Sequence, residues 1–317
     1  MDKILVTGGA GFIGSHFVKR LLDREDVAAV TVLDTLTYAG FKENLADVFI
    51  SPKLNFERGN IVDQDLVDEL VQRHDRVVHF AAESHVDRSF FEAGTFLATN
   101  VVGTQILLDA AYRKGVDQFV HVSTDEVYGP LAEGCATEGF PLRPTVPYAA
   151  SKAASDLIAL SYYQTFGVPV CVTRSSNNYG PAQHPEKIIP RFISSLLAGE
   201  ACTLHGQGQH VRNWLHVEDN CQGIELVMRN GVPGEIYNIG GGTDLTNKEL
   251  TDLILRACGA GWDLVSYVED RRSNDVRYAM DWSKIRQLGY EPERSLEDGL
   301  AETVQWYRDH PHRRAPE

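Results

Sequence analysis

Runs of β-branched and aliphatic residues alternate along the first half of the chain with stretches whose apolar positions recur every three to four residues. Ile4-Leu5-Val6-Thr7 predicts a short buried strand, and Phe17, Val18, Leu21 and Leu22 mark the buried face of a helix after it. Ala29-Val30-Thr31-Val32-Leu33 and residues 54–59, 76–82, 118–123 and 168–174 predict further strands. Helices are expected at 65–71, at 100–114 with apolar positions 101, 102, 106, 107 and 110, and from Pro147 onward, where a proline suits a first helical turn. Repeated strand-helix alternation predicts an α/β fold with a doubly wound parallel sheet. Past Arg174 the pattern loses regularity, which predicts a smaller C-terminal α/β substrate domain. The division is placed at 1–176 and 177–317, with the chain returning to the first core near 235–240. Residues 295–307 predict a last amphipathic helix.

Glycines punctuate the first turn. Gly8, Gly11 and Gly14 separate the first strand from its helix and permit a tight turn, close backbone approach to a pyrophosphate and close helix packing. Asp34 ends the second strand twenty residues after Gly14, placed to accept from ribose hydroxyls and to repel a 2′-phosphate, so NAD is expected rather than NADP. The small Ala81 and Ala82 let a cofactor lie against the fourth strand, and the polar Ser84, His85 and Asp87 beyond them suit sugar hydroxyls. Ser123-Thr124-Asp125-Glu126 closes an apolar strand with a hydroxyl pair and two adjacent carboxylates, at the end of a parallel strand where ligands bind. Tyr148 and Lys152 share a helical face by four-residue spacing, and a tyrosine needs such a cation to act as a base near neutrality. Singly, each is an ordinary turn, cap or surface pair. Together they point to hydride exchange between alcohol and carbonyl.

Composition narrows the partners. With 317 residues and 43% hydrophobic content the chain can bury a sizeable core. A formal charge of −14 argues against nucleic acid, which needs clustered Lys and Arg. No apolar run approaches the roughly 18 residues of a membrane span, and no leader precedes the first strand, so a cytoplasmic protein is expected. Five scattered cysteines show no metal spacing and are expected to be reduced thiols; no metal is assigned.

The Gly8/Gly11/Gly14 loop, Asp34, Tyr148 and Lys152 resemble the extended short-chain dehydrogenase/reductase superfamily, with its Rossmann-like NAD domain. Within it the chain is most similar to the dTDP-glucose 4,6-dehydratase family, through phrases at 34–40, 81–89, 123–129, 148–156, 176–190, 212–219, 237–241 and 275–281. Thr124-Asp125-Glu126 is the specific part: related decarboxylases and GDP-mannose dehydratases typically carry Ser in the middle position, and epimerases usually lack both acids. The resemblance implies oxidation at C4 of dTDP-glucose with Tyr148 as base and Thr124 holding the oxygen. Glu126 then takes the C5 proton, Asp125 protonates the departing C6 hydroxyl, and hydride returns to C6. It implies cofactor contacts from Gly8, Gly11, Phe12, Ile13, Gly14, Asp34, Thr37, Asn60, Ile61, Ala81, Ala82, Ser123, Tyr148, Lys152 and Asn178. Substrate contacts would come from Ser84, His85, Asp87, Thr124, Asn177, Lys187, Arg212, Asn247, Arg271 and Arg277. Family members are usually homodimers that pair the helix at 100–114 with the one starting at Tyr148.

The chain departs from the family at Arg271-Arg272-Ser273-Asn274-Asp275, where Arg-Pro-Gly-His-Asp is usual, and at Ala182-Gln183-His184, Asn213, His216 and Asn60. None of these removes a catalytic group; they bear on the base, thymine or uracil. The competing readings are a UDP-sugar dehydratase, an NAD-dependent epimerase or decarboxylase on the same fold, and a non-catalytic NAD-binding protein. Asp125 and Glu126 weigh against the epimerase and decarboxylase, and the intact Tyr148, Lys152 and acid pair weigh against the last.

Overall fold

In the computed structural model, which describes residues 1–270 and 275–314, seven strands form one all-parallel sheet. These are β1 (Asp2–Thr7), β2 (Val27–Asp34), β3 (Leu54–Arg58), β4 (Arg76–His79), β5 (Gln118–Thr124), β6 (Val170–Ser175) and, after three others, β10 (Ile236–Ile239). Their order is β10-β6-β5-β4-β1-β2-β3. The chain reverses direction across the sheet between β1 and β4, and the crevice above that switch point is where such sheets bind ligands.

Alternating side chains fill two faces, as pleating requires. Ile4, Val6, Val32, Val78 and Val120 pack with the helices Phe12–Leu22 and Val217–Asn230 on one side. Leu5, Leu33, Val77, Phe119 and Val172 pack on the other with the helices Gln64–Gln72, Thr104–Lys114 and Pro147–Phe166. Val217–Asn230 therefore covers the sheet built by the first half of the chain. A third core, with Phe192, Ile193, Trp214, Leu250, Ile254, Leu300 and Val304, joins the helices Ile188–Leu197, Asn247–Cys258 and Leu296–Asp309. Two small sheets lie beside it: β7 (Asn177–Tyr179), β9 (Val211–His216) and β11 (Thr243–Thr246) in the order β11-β9-β7, and β8 (Cys202–His205) with β12 (Val265–Val268).

Two elements differ from the sequence expectation. β4 ends at His79, although Phe80 N still donates to Thr7 O at 2.9 Å, and Asn100 holds the loop that follows: its Oδ1 accepts from Glu83 N at 2.8 Å and its Nδ2 donates to Glu83 O at 3.0 Å. The helix expected from 100 starts at Ala93 and widens to π geometry over Leu97–Gly103 before resuming at Thr104. Such widened turns recur at functional sites. Here Asn100 also donates to Ser151 Oγ at 2.9 Å, tying the widened turn to the helix that carries Tyr148. Among the described residues no helix is long and apolar enough to cross a membrane.

Candidate active site

The glycine loop is shaped by how closely its neighbours approach. Gly8 has φ of 72°, and a Cβ there would lie 2.5 Å from Ala81 N; a Cβ on Gly14 would lie 2.3 Å from Gly8 O. Only glycine fits both places. Asp34, at the tip of β2, is held by its own loop: Oδ2 accepts from Ala10 N at 3.0 Å and Oδ1 from Leu36 N at 2.8 Å. Burial raises its carboxyl above the ordinary range, and those two amides oppose the rise.

A cavity of about 460 Å³ opens over this loop and runs along the carboxyl ends of β1, β4 and β5. Gly8, Gly11, Phe12, Ile13, Gly14, Asp34, Thr37, Asn60, Ile61, Ala81, Ala82, Ser123, Tyr148, Lys152 and Asn178 all line it, so the structure brings together every residue expected to touch the cofactor. Ser84, Thr124 and Asp125 line it too. A second cavity of about 230 Å³ continues it and is lined by His85, Asp87, Arg212 and Asn247. Glu126, Asn177, Asn178 and Lys187 belong to both. The arrangement is one trough in two chambers, with the Thr-Asp-Glu triplet at their junction.

The junction is electrostatically uneven. Asp125 is buried, and burial together with the charge of Glu126 pushes its carboxyl up to about 7. Thr124 Oγ1 lies 3.2 Å from Asp125 Oδ1 and accepts from Glu126 N at 3.3 Å. Burial also raises Glu126, while Lys187 and Arg212 pull it back. Tyr148 is raised well above the ordinary phenol value by burial, then by Glu126 and Asp125. Lys152, buried one helical turn on, donates to Val122 O at 2.8 Å. Burial lowers its ammonium to about 8, and the charge of Asp156 opposes that fall. Asp156 is itself fully buried, paired through Oδ2 with Arg174 Nε at 2.9 Å and facing His121 Nε2 at 3.3 Å.

The residues present fit a dinucleotide in the larger chamber. The wall at Gly8 and Ala81 is bare backbone, and the buried Ser176 Oγ and Asn178 Oδ1, both on lining residues, have no hydrogen-bond partner among the described residues. In the smaller chamber, Lys187 Nζ reaches Ser84 O at 3.2 Å, and the Arg212 guanidinium lies 4.5 Å from the centre of the Tyr278 ring. Lys187, Arg191 and Arg212 all line that chamber, and cations gathered so suit a diphosphate. Arg277 lines neither chamber: its Nη1 donates to Gly134 O at 2.8 Å. Arg271 lies outside the described residues.

Several lining residues had no individual signal in the sequence. Tyr38, whose hydroxyl is pushed up to about 12 by burial and by Glu186, lies 3.4 Å from Ser84 Oγ. Gln183 and Glu186 line both chambers, and Asp275 accepts from the Tyr278 hydroxyl at 2.5 Å in the smaller one. Tyr38, Gln183, Glu186, Asp275 and Tyr278 all fall inside the family phrases at 34–40, 176–190 and 275–281, which was the pointer available; none carries a signal by residue type.

Residues 5–303 match the family model described as GDP-mannose 4,6 dehydratase. Over 313 residues the chain is 56% identical to a dTDP-glucose 4,6-dehydratase of Streptomyces antibioticus, covering 97% of this chain and 92% of that one. The crystal structure of DesIV, a dTDP-glucose 4,6-dehydratase from Streptomyces venezuelae with NAD and TYD bound, superposes with a TM-score of 0.96 at 53% identity, covering 98% of both chains. A UDP-glucose 4-epimerase from Thermotoga maritima with UDP-glucose reaches a TM-score of 0.90 at 31% identity, covering 98% of this chain and 99% of that one. Fold alone does not separate dehydratase from epimerase; the residues at the junction and the closer identity do.

Proposed function

The chain belongs to the GDP-mannose 4,6 dehydratase family, and on that premise we infer that it is an NAD-dependent dTDP-glucose 4,6-dehydratase, converting dTDP-glucose to dTDP-4-keto-6-deoxyglucose and water. The larger chamber holds the dinucleotide, with Asp34 at the adenosine ribose and the glycine loop at the pyrophosphate. The smaller holds the nucleoside diphosphate, with Lys187 and Arg212 toward the phosphates, and the hexose lies at the junction. Bound in the larger chamber, NAD would supply a reversible hydride acceptor and donor beside the hexose, the chemistry that carries hydride from C4 to C6.

The chain's own groups move the protons. Tyr148 takes the C4 hydroxyl proton while Thr124 holds that oxygen, and the Lys152 ammonium favours the phenolate. The ketone acidifies C5, whose proton Glu126 accepts and gives back to C5 once hydride has reached C6. Asp125 gives its proton to the C6 oxygen, which leaves as water. One acid and one base are needed side by side, and the observation that carries the reading is Asp125 buried next to Glu126 at the junction of the chambers, where burial and that neighbour push its carboxyl up to about 7. At neutral pH a large share of Asp125 holds the proton that the step consumes.

The first test is incubation of purified protein with dTDP-glucose and, separately, UDP-glucose, without added reductant, following product mass and the absorbance of the 4-keto-6-deoxy sugar in base. Loss of one water from dTDP-glucose is expected. An isomer of unchanged mass would transfer the chain to the epimerase reading, and water loss from UDP-glucose alone would reassign the base.

We also propose a homodimer. Phe91, Leu97, Val102, Tyr112, Leu157 and Phe166 expose apolar side chains along 90–103 and the adjoining helices Thr104–Lys114 and Pro147–Phe166.

A further inference from the structure

Residues 310–314, after the last helix, fold back against the loop that closes the larger cavity. Arg313 Nη2 donates to Asn44 Oδ1 at 3.0 Å, and its guanidinium carbon lies 4.3 Å from the centre of the Phe41 ring. Both partners belong to the cofactor side. Asn44 Nδ2 donates to Ala10 O at 2.9 Å and Phe41 N to the same oxygen at 3.0 Å, so each is tied to the glycine loop. Phe41 does not line the cavity; it backs His184, which does, through parallel rings 5.9 Å apart. Tyr38 meets the same His184 edge-on at 5.7 Å.

The same segment is braced from below. Arg314 Nε donates to Tyr307 O at 2.7 Å, and the Tyr307 hydroxyl donates to Gln183 O, one residue before His184. Gln183 Nε2 in turn donates to Asn178 O at 2.8 Å. A segment remote in sequence thus grips both sides of the cavity mouth: Phe41 and Asn44 through Arg313, and residues 183–184 through Tyr307.

We propose that Arg313 is a positioning residue for the cofactor wall, clamping Phe41 and Asn44 so that His184 and the glycine loop stay closed over the bound dinucleotide. This rests on the reading that NAD occupies the larger chamber, and extends it to how slowly NAD leaves. Thr37, Tyr38, Ala39 and Gly40 form one wall of the cavity, and opening that wall outward would part Phe41 from the guanidinium. A cation over an aromatic face plus one hydrogen bond corresponds to about tenfold in a release rate.

The test compares wild type with Arg313→Ala and Arg313→Lys, each prepared with NAD bound. The readouts are the rate at which bound NAD exchanges with labelled NAD and the melting temperature of the NAD-stripped proteins. Arg313→Ala is expected to release NAD about tenfold faster, with the stripped protein's melting temperature lowered by only a few degrees. Arg313→Lys, which keeps the charge over Phe41, is expected to recover part of the slow release. Equal release rates overturn the inference, as does a faster release accompanied by a larger fall in the stripped protein's melting temperature with no recovery by lysine. Wild type that neither carries NAD nor gains melting temperature on its addition would sink the NAD reading itself.

Discussion

Asp125 and Glu126 are neighbours in sequence with opposite tasks, and their surroundings separate them. Burial raises both carboxyls and Arg212 pulls both down, but Asp125 is raised further by the charge of Glu126, whereas Glu126 is also drawn down by Lys187. Replacing Asp125 by Asn removes the transferable proton but keeps the shape. We expect Asp125→Asn to slow water loss by about 10²–10⁴-fold while C4 oxidation still proceeds, seen in a single turnover as reduced-nicotinamide absorbance that persists. Elimination undiminished in that variant would remove Asp125 from the acid role. The raised carboxyl also affects stability. Between about pH 4 and about 7 the folded chain keeps a proton at Asp125 that the unfolded chain has lost, so stability falls as pH rises through this window. Asp125→Asn is therefore expected to stabilise the protein by about 1–3 kcal/mol at pH 8 and by much less at pH 5, measured by denaturant unfolding at both. Behind the site, Asp156 opposes the fall of the Lys152 ammonium to about 8. Asp156→Asn is expected to lower that value further, moving the alkaline limb of the activity profile to lower pH. It would also destabilise the fold by about 3–5 kcal/mol, because the buried Arg174 loses its charged partner and keeps the neutral Tyr128 hydroxyl and Glu138 carbonyl. An unmoved alkaline limb in the folded variant would show that Asp156 matters only structurally.

At the scale of elements, legibility in the sequence followed how local the physical demand was. Gly8 and Gly14 were readable because a neighbour's backbone within 3 Å excludes any side chain, and that demand recurs wherever a strand turns into a helix over a pyrophosphate. β1, β2 and β5 were readable because burial on both faces leaves continuous apolar runs. The widened turn at Leu97–Gly103 was not, since its cause is tertiary: Asn100 hydrogen-bonds Glu83 across seventeen positions and Ser151 across fifty-one. Cations posed a similar difficulty. Lys187 and Arg212 face the smaller chamber while Arg277 bonds the turn at Gly134, and sequence proximity to a family phrase cannot tell these apart. The Asn100 junction gives a further prediction. Asn100→Ala leaves two backbone groups of Glu83 without their partner, so a loss of about 1–3 kcal/mol in unfolding free energy is expected. Because the same residue tethers the Tyr148 helix through Ser151, the rate of C4 oxidation should fall more than substrate affinity. Wild-type stability and turnover in Asn100→Ala would relieve it of both roles.

Across the whole molecule, the two chambers are built from both halves of the chain yet share one rigid floor. The helix Val217–Asn230 returns to the sheet beside Phe12–Leu22, and β10 extends that sheet next to β6, so the smaller chamber is anchored to the larger. What this packing leaves uncovered lies elsewhere. Phe91 is 88% exposed and Leu157 60% exposed, on the side of the molecule formed by 90–103 and the helix Pro147–Phe166. Tyr112 and Phe166 stand next to each other on that side with ring centres 5.1 Å apart, half-exposed. Exposed apolar side chains on these packed elements of an otherwise acidic protein support the proposed pairing, in which a two-fold axis would let one face meet its own copy. The helix offering Leu157 is also the helix that carries Tyr148 and Lys152, so pairing would stiffen the segment that aims the base. Light scattering coupled to size exclusion is expected to give twice the monomer mass, and Leu157→Glu is expected to shift it toward the monomer by placing a charge on that exposed apolar face. If the charged variant becomes monomeric and its C4 oxidation slows while NAD content holds, pairing supports catalysis through that helix. A wild-type protein that is monomeric at micromolar concentration would leave that face without this function.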